Sequence, residues 1–443
     1  MPLSQLPPSV SALFYALAHC LDRRLQGRFP QLLIGVLFAR GRRTVTAWFR
    51  AAGITDDFRQ GYHTLAAAGR DAELLSTRLL PVIGSLQPGD RLTVALDDTP
   101  TPRWGPHVQG AGLHRNPTPG PAGEKYVYGH VWVTLAALVT HPTWGIRALP
   151  LRSDLYVRRK DVTAQLTRQG FTFATKLERA VEQLRWLNLW MNPQIRALDV
   201  VADGAYAKRP VLRVVRQLPR VTLFSRLAKN AALCSLPPTH RRQGQRGPLP
   251  SYGKERIELA KRAGQKRGWQ TVRCVQYGRT VTKRIKTFLA TWRPAGGVIR
   301  VVLVQEPAEW RAYFCTDPGR TAREVLERAA DRGALEETFK DLKEVWGAGQ
   351  QQLRNVWANV GAFNVNGWLY SVVEAWAWER SHEELVDRSA CPWDKAERRA
   401  SHTDKRKALE RQLLRAQTLD ALRDGPDREG FRQVLERLLA WMP

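Results

Sequence analysis

Two short apolar runs in this chain stop in the same way. Leu92–Leu96, within "RLTVALDDTPTP" (91–102), ends on Asp97 and Asp98 before a proline-broken loop, and Leu198–Ala202, within "RALDVVADGAYAKRP" (196–210), ends on Asp203 before Gly204. Apolar stretches of this length closed by Pro or Gly read as buried strands. A buried strand that terminates in an acid leaves a carboxylate at the rim of a sheet, where it serves as a turn former or cap, or as a ligand. Two such strands in one chain suggest tips that converge at one end of a sheet. That is where a metal could be held.

A helix can supply a third acid. In "RGALEETFKDLKEVWGAG" (332–349), Leu335, Phe339, Leu342 and Trp346 form an apolar stripe at helical spacing. At about 100° per residue, Arg332, Glu336 and Lys343 fall within about 40° of one another, and Glu337 is turned about 100° away. This face reads either as a metal-ligating acid flanked by two phosphate-holding cations or as an ordinary salt-bridge ladder. Spacing alone leaves both open.

The charge of the chain bears on that choice. Its 69 Lys and Arg outnumber 41 Asp and Glu, for a formal charge of +28, and such an excess points to a polyanionic partner. Most of it is concentrated: residues 204–305 hold 23 Lys or Arg and only two acids, Glu255 and Glu258. A basic Gly/Pro-broken loop, "HRRQGQRGPLPSYGKER" (240–256), is followed by "TVRCVQYGRTVTKRIKTFLATW" (271–292) and "GVIRVVLVQ" (297–305), which alternate like antiparallel strands. A region this one-sided reads as a phosphate-backbone binder. No apolar run reaches the roughly 18 residues of a spanning helix, and the N-terminal stretch lacks the marks of a secretory signal. The five cysteines are scattered without paired spacing, so a cytoplasmic protein with reduced thiols is expected, and any metal would be held by oxygen. Residues 1–85 read as helical, and "QLLIGVLFARGRRTVTAWFRAAG" (31–53), interrupted by Gly-Arg-Arg, is either a helix–turn–helix or a plain helical hairpin. The tail from Trp393 reads as a charged helix.

Taken together, "LDDTPTPRWGPHVQGAG", "VVADGAYA", the spaced Arg332, Glu336, Phe339, Lys343 and Gly347, the stretch "FSRLAKNAALCSLPP" with "RRQGQRGPLPSYG", and "QQQLRN" (350–355 in part) resemble the DDE-type insertion-sequence transposases of bacteria whose first motif is Asp-Asp-Thr/Ser. The resemblance spans roughly residues 25–380. It implies an RNase H-like α/β catalytic core interrupted by a β-rich insertion. The expected division is a helical, DNA-binding N-terminal domain (1–88), the first part of the core (89–215), the basic insertion (216–320), the final core helices (321–380) and a charged helical C-terminal region (381–443).

The resemblance also implies site residues. Asp97, Asp203 and Glu336 would be catalytic metal ligands, with Asp98 as the alternative to Asp97. Strand alternation sends Asp97 and Asp98 to opposite faces unless a bulge intervenes, and Thr99 standing two residues on favours Asp97. Arg332 and Lys343 would hold phosphates, with Arg226, Lys229, Arg241, Arg242, Arg246 and Lys254 at DNA in the insertion. Two departures stand out: Ala329 where the family usually has Tyr, and Gly333 where it usually has an aromatic. An all-carboxylate site suits two Mg²⁺ or Mn²⁺ ions, which serve end cleavage and then strand transfer into target DNA. Trp269, Trp292 and Trp310 read as core aromatics or as base-stacking platforms. The implied partners are double-stranded DNA and a second copy of the chain on DNA, with no membrane, in the nucleoid. The rival expectations are an RNase H-like nuclease without strand transfer and a catalytically silent transposase-derived DNA binder.

Overall fold

The computed structural model describes residues 6–116, 123–191, 196–240, 247–389 and 391–423. Six helices come first: α1 (Pro8–Ala18), α2 (Arg28–Phe38), α3 (Val45–Ala51), α4 (Phe58–Arg70), α5 (Ala72–Thr77) and α6 (Leu80–Leu86). Strands β1 (Arg91–Pro102), β2 (Gly112–Arg115), β3 (Tyr126–His141) and β4 (Gly145–Tyr156) follow, then α7 (Ala164–Arg168), α8 (Lys176–Trp190), β5 (Ala197–Ala202), α9 (Arg209–Gln217) and β6 (Val221–Leu227). Next come β7 (Leu233–Cys234), β8 (Arg256–Ile257), α10 (Leu259–Gly264), β9 (Gln270–Gln276), β10 (Arg279–Trp292), β11 (Gly297–Gln305) and β12 (Trp310–Cys315). The chain closes with α11 (Ala322–Asp331), α12 (Gly333–Glu344), α13 (Val356–Ala377), α14 (His382–Leu385) and α15 (His402–Arg423).

The twelve strands among the described residues join one mixed sheet in the order β2-β3-β1-β5-β6-β12-β11-β10-β7-β8, with β4 on β3 and β9 on β10. Around its centre β3 and β4 form an antiparallel meander with β1, whereas β5 and β6 run parallel to β1. The apolar strands β1 and β5 are buried on both faces, as parallel strands covered by helices must be. β6 is therefore part of the parallel half. The antiparallel strands of the basic segment begin beyond it, and β12 pairs with β6 so that they extend the same sheet.

The N-terminal helices share one apolar core with this sheet and with α13. At the crossing of α4 on α13 the backbones touch. A Cβ on Gly69 would fall 1.9 Å from Trp357 O, and one on Gly361 2.0 Å from Leu65 O. α13 is buried nearly all round, and its polar side chains serve the irregular strand β4, whose register shifts between Leu135 and Ala136 of its partner. Asn364 Oδ1 accepts Ser153 N–H (2.9 Å), its Nδ2 donates to Ser153 O (2.9 Å), and Trp368 Nε1 donates to Leu151 O (3.0 Å). Helix α13 thereby covers an edge that would otherwise be open to pairing.

Candidate active site

Register builds the first half of the site. Leu96 of β1 is level with Ala202 of β5, the last pair of their parallel ladder, so Asp97 and Asp203 stand one position beyond it. Asp203 follows the end of β5, but Asp97 is midway along β1, because the segment expected as a proline-broken loop continues as strand to Pro102, paired with β3. Asp97 pairs across β1–β3 with Thr134, and Asp98 with Val133, with no irregularity in that ladder. Alternation then separates the two acids.

Asp98 turns to protein partners: its Oδ2 accepts Lys176 Nζ–H at 2.7 Å and its Oδ1 accepts the Tyr206 hydroxyl at 2.9 Å. Lys176 opens α8 behind a capping box made by Thr175 and Glu178. Tyr206 lies in the turn after Asp203, where Tyr206 N–H donates to Asp203 O and Ala205 N–H to Asp203 Oδ1, both at 2.9 Å. Burial, and then the charge and hydrogen bond of Asp98, push the Tyr206 hydroxyl well above its ordinary pKa. Asp98 thus ties β1, α8 and the Asp203 turn together.

Asp97 faces other charges. Its Oδ1 accepts Asp98 N–H at 2.9 Å, and its Oδ2 accepts Arg332 Nη1–H. The other arm of the same guanidinium, Nη2, donates to Glu336 Oε1 at 2.6 Å. Arg332 stands at the junction of α11 and α12 in helical geometry, one turn before Glu336, which lets one fork span strand and helix. Burial pushes the Asp97 carboxyl up to about 6. Arg332 and the Asp98 N–H restrain the rise, while Asp98 and Asp203 add to it. Burial would lower the Arg332 guanidinium, but Asp97, Glu336 and Asp203 outweigh it and hold it above its ordinary value. Among the described residues no three His, Cys, Asp or Glu side chains stand close enough to hold a metal ion: the acids are grouped about the Arg332 cation.

The remaining expected residues divide. Glu337 turns away to Arg399 (3.4 Å) and Arg147 (3.6 Å). Lys343 is half-buried, burial lowers its pKa, and it has no partner among the described residues. Lys229 binds Glu309 at 2.7 Å, with Arg226 at 4.0 Å from the same acid, and Lys283 binds Glu306 at 3.0 Å. Acids just past the basic window therefore neutralise part of it. Lys254 is exposed, and Arg241, Arg242 and Arg246 lie outside the described residues. Trp292 packs on Phe314 in the core, whereas Trp269 and Trp310 are half-buried under Lys286 and Lys229.

Two participants escaped the sequence reading. Tyr206 sits inside "VVADGAYA", and an aromatic two residues past a rim glycine was its signal. Tyr277 is 78% exposed at the β9–β10 turn in a left-handed conformation (φ 52°). Its ring fills the space a side chain at Gly333 would need, 2.8 Å from that Cβ position. With Trp144, Ala330 and Glu337 it lines a cavity of about 210 Å³ beside α12. An aromatic ring from a distant hairpin thus lies over Gly333, which no local pattern reveals.

A mixed α/β sheet with carboxylates just past the last paired residues of two adjacent parallel strands, faced by a third on a helix, fits an RNase H-like DDE domain. The family model for the DDE superfamily endonucleases matches residues 16–293, and the chain belongs to that family. Membership is consistent with a DDE-type transposase and implies nuclease activity on DNA. The match ends before α12, so Arg332 and Glu336 lie beyond it. No curated protein matches the chain. No helix among the described residues is long and apolar enough to cross a membrane.

Proposed function

We propose that this protein is a transposase that cuts the ends of a DNA element and joins the freed 3′-hydroxyl to target DNA, with Asp97, Asp203 and Glu336 as its catalytic acids. The observation that carries the reading is the placement of Asp97 and Asp203 one position beyond the last pair of the β1–β5 ladder, with Arg332 tying Asp97 to Glu336 on α12. Asp98 is the weaker candidate, because both its oxygens already hold Lys176 and Tyr206.

The donor set suits hard divalent cations. It consists of carboxylate oxygens only, and the desolvated, like-charged surroundings that lift Asp97 are relieved by added positive charge. Asp97, Asp203 and Glu336 would hold Mg²⁺ or Mn²⁺. A bound pair of such ions activates the attacking oxygen and stabilises the leaving 3′-oxygen of an in-line displacement at phosphorus. The chain's own cations do the positioning. The planar two-armed fork of Arg332 matches phosphate oxygens as well as carboxylates, and Lys343 presents an unpaired ammonium two turns along the same helix face. Asp98, by anchoring α8 and the Asp203 turn, keeps the two strand tips level. The partners are double-stranded DNA at the element ends and target, and a second copy of the chain bridging two ends.

The test is cleavage of the element's end DNA with Mg²⁺ by wild type and by Asp97→Ala, Asp98→Ala, Asp203→Ala and Glu336→Ala. Nicking disappears in all but Asp98→Ala, with DNA binding retained in every variant. Transfer of a pre-cut end into plasmid distinguishes a transposase from a nuclease. If Asp98→Ala abolishes nicking and Asp97→Ala does not, the assignment of acids is wrong.

A further inference from the structure

The turn between α2 and α3 reads Arg40-Gly41-Arg42-Arg43. Arg42 is exposed, but Arg43 retains only 9% of its surface, and its Nη1 is buried with no partner among the described residues. Its own N–H donates to Gln350 Oε1 at 2.9 Å, so the backbone is fixed while the guanidinium stays unpaired. The charges around it do not balance. Arg40 Nη2 and Arg406 Nε both engage Glu410, at 2.6 and 2.8 Å, so that this carboxylate is already held by two guanidinium groups and is not paired with Arg43. Burial first, and then the charge of Arg406, push Arg43 down to about 9, with Glu410 pulling the other way. Interiors rarely keep a cation without a counter-charge. One that stays unpaired at the edge of an exposed basic turn is explained if its anion comes from outside.

The turn is also joined to the acid site. It sits on the 347–352 loop, where Gly347 (φ 66°) and Gly349 (φ 107°) take left-handed conformations. A Cβ on Gly347 would fall 2.8 Å from Arg43 Cβ, and one on Gly349 3.5 Å from Arg103 Nη1 on the chain leaving β1. The approach at Gly347 is too close for a side chain, and the positive φ at both positions favours glycine. That loop follows α12 directly. At 1.5 Å per residue, the end of α12 at Glu344 lies roughly 12 Å along the helix axis from Glu336, with the unpaired Lys343 beside it, and Gly347 follows three residues on.

We propose that the Arg40–Arg43 turn, seated on the 347–352 loop, binds a backbone phosphate of the DNA duplex whose scissile end lies at the acids. This rests on the DNA-cleaving reading above and extends it. That length of helix corresponds to roughly three or four base-pair steps, so one duplex can touch Lys343 and reach the turn beyond the helix while its end lies at Glu336. Arg43 would then be a strut that costs the free protein stability and finds its counter-charge in the complex. A purely structural arginine behaves in the opposite way.

The experiment uses the full chain, a labelled end-DNA duplex of about thirty base pairs and fluorescence anisotropy between 50 and 200 mM salt, beside thermal melts without DNA. Arg43→Gln is expected to melt at or above the wild-type temperature, to bind duplex about five- to tenfold more weakly, and to lower the slope of log K against log salt by about 0.9. Arg42→Gln, on the exposed side, should reduce the slope without moving the melt. Inorganic phosphate should raise the melting temperature of wild type more than that of Arg43→Gln. A lower melt for Arg43→Gln, or an unchanged salt slope in both variants, overturns the proposal. Stabilisation by inorganic phosphate with an unchanged slope marks a site for free anions only, and overturns it too. A wild-type chain that binds no duplex removes the functional reading itself, whereas normal binding with unaltered slopes removes only this inference.

Discussion

Asp97 and Glu374 are both carboxylates withdrawn from water beside cations, yet they end at opposite extremes. Burial would raise Glu374, which is fully covered in α13, but Lys405 Nζ at 2.6 Å and His402 Nδ1 at 2.7 Å occupy one oxygen each and hold it down at about 2. The network closes on itself. Trp346 Nε1–H donates to His402 Nε2 at 2.8 Å, so the imidazole is neutral and donates Nδ1–H to Glu374. Burial lowers Lys405 to about 8 even with Glu374 pulling it up. Asp97 has instead half of one guanidinium, shared with Glu336, and two like-charged neighbours, and it is pushed up to about 6. The interior network gives each Glu374 oxygen its own partner, and joins α13, α15 and the turn after α12. The rim is left short of positive charge. A complete network gives rigidity, and an incomplete one gives a place for a cation or a phosphate to enter.

The hardest blow to this contrast is Glu374→Leu, which strands Lys405 in the core. We expect a loss of about 3–5 kcal/mol by chemical denaturation, with much of it restored by adding Lys405→Met. Because Glu374 is held below its unfolded value, its contribution is complete above about pH 4.5 and is lost as the pH falls toward 2. A single variant as stable as wild type would erase the distinction. Asp97→Asn should do the reverse. Asp97 is raised, so its ionisation destabilises the metal-free fold as the pH climbs from about 4 to 6. The amide should therefore match wild type below pH 4 and exceed it by about 1–3 kcal/mol above pH 6, while nicking is lost. Melts at pH 4 and 7 check this, and equal stability at pH 7 would mean that the rim is as well compensated as the core. The smallest effect belongs to Asp98→Asn, which weakens the charge on Lys176 and Tyr206. It should cost about 1 kcal/mol and leave the nicking rate within a fewfold of wild type.

Much of this was legible because it is local. The apolar runs before Asp97 and Asp203 lie in strands β1 and β5, although β1 continues past its acids to Pro102. Leu335, Phe339 and Leu342 are on the buried face of α12, which stops at Glu344 so that the buried Trp346 falls just beyond it, and the alternating basic segments are β9 to β11. The parts that stayed hidden depend on partners far along the chain. The tail read as a charged helix, but Lys405, Arg406 and Glu410 are buried in it against Glu374, Leu37 O and Arg40. The basic window looked nearly free of acids, yet Glu306 and Glu309, just past it, pair with its lysines. Gly333 looked like a loss until Tyr277 was found lying over it.

By itself the sequence determined that the apolar runs before Asp97 and Asp203 become strands and that Glu336 stands on a helix, and that the chain carries a large positive excess. Apolar periodicity and strand-breaking residues act within a few positions, so they can be read without knowing the fold. Only the tertiary structure decided that Asp97 and Asp203 both stand one position beyond the β1–β5 ladder, that Arg332 rather than a lysine bridges Asp97 to Glu336, that Asp98 is an anchor, and that Arg43 is left unpaired. Those outcomes follow from which groups meet after hundreds of intervening residues and from how much water stays between them. The free energy of a charge depends on both.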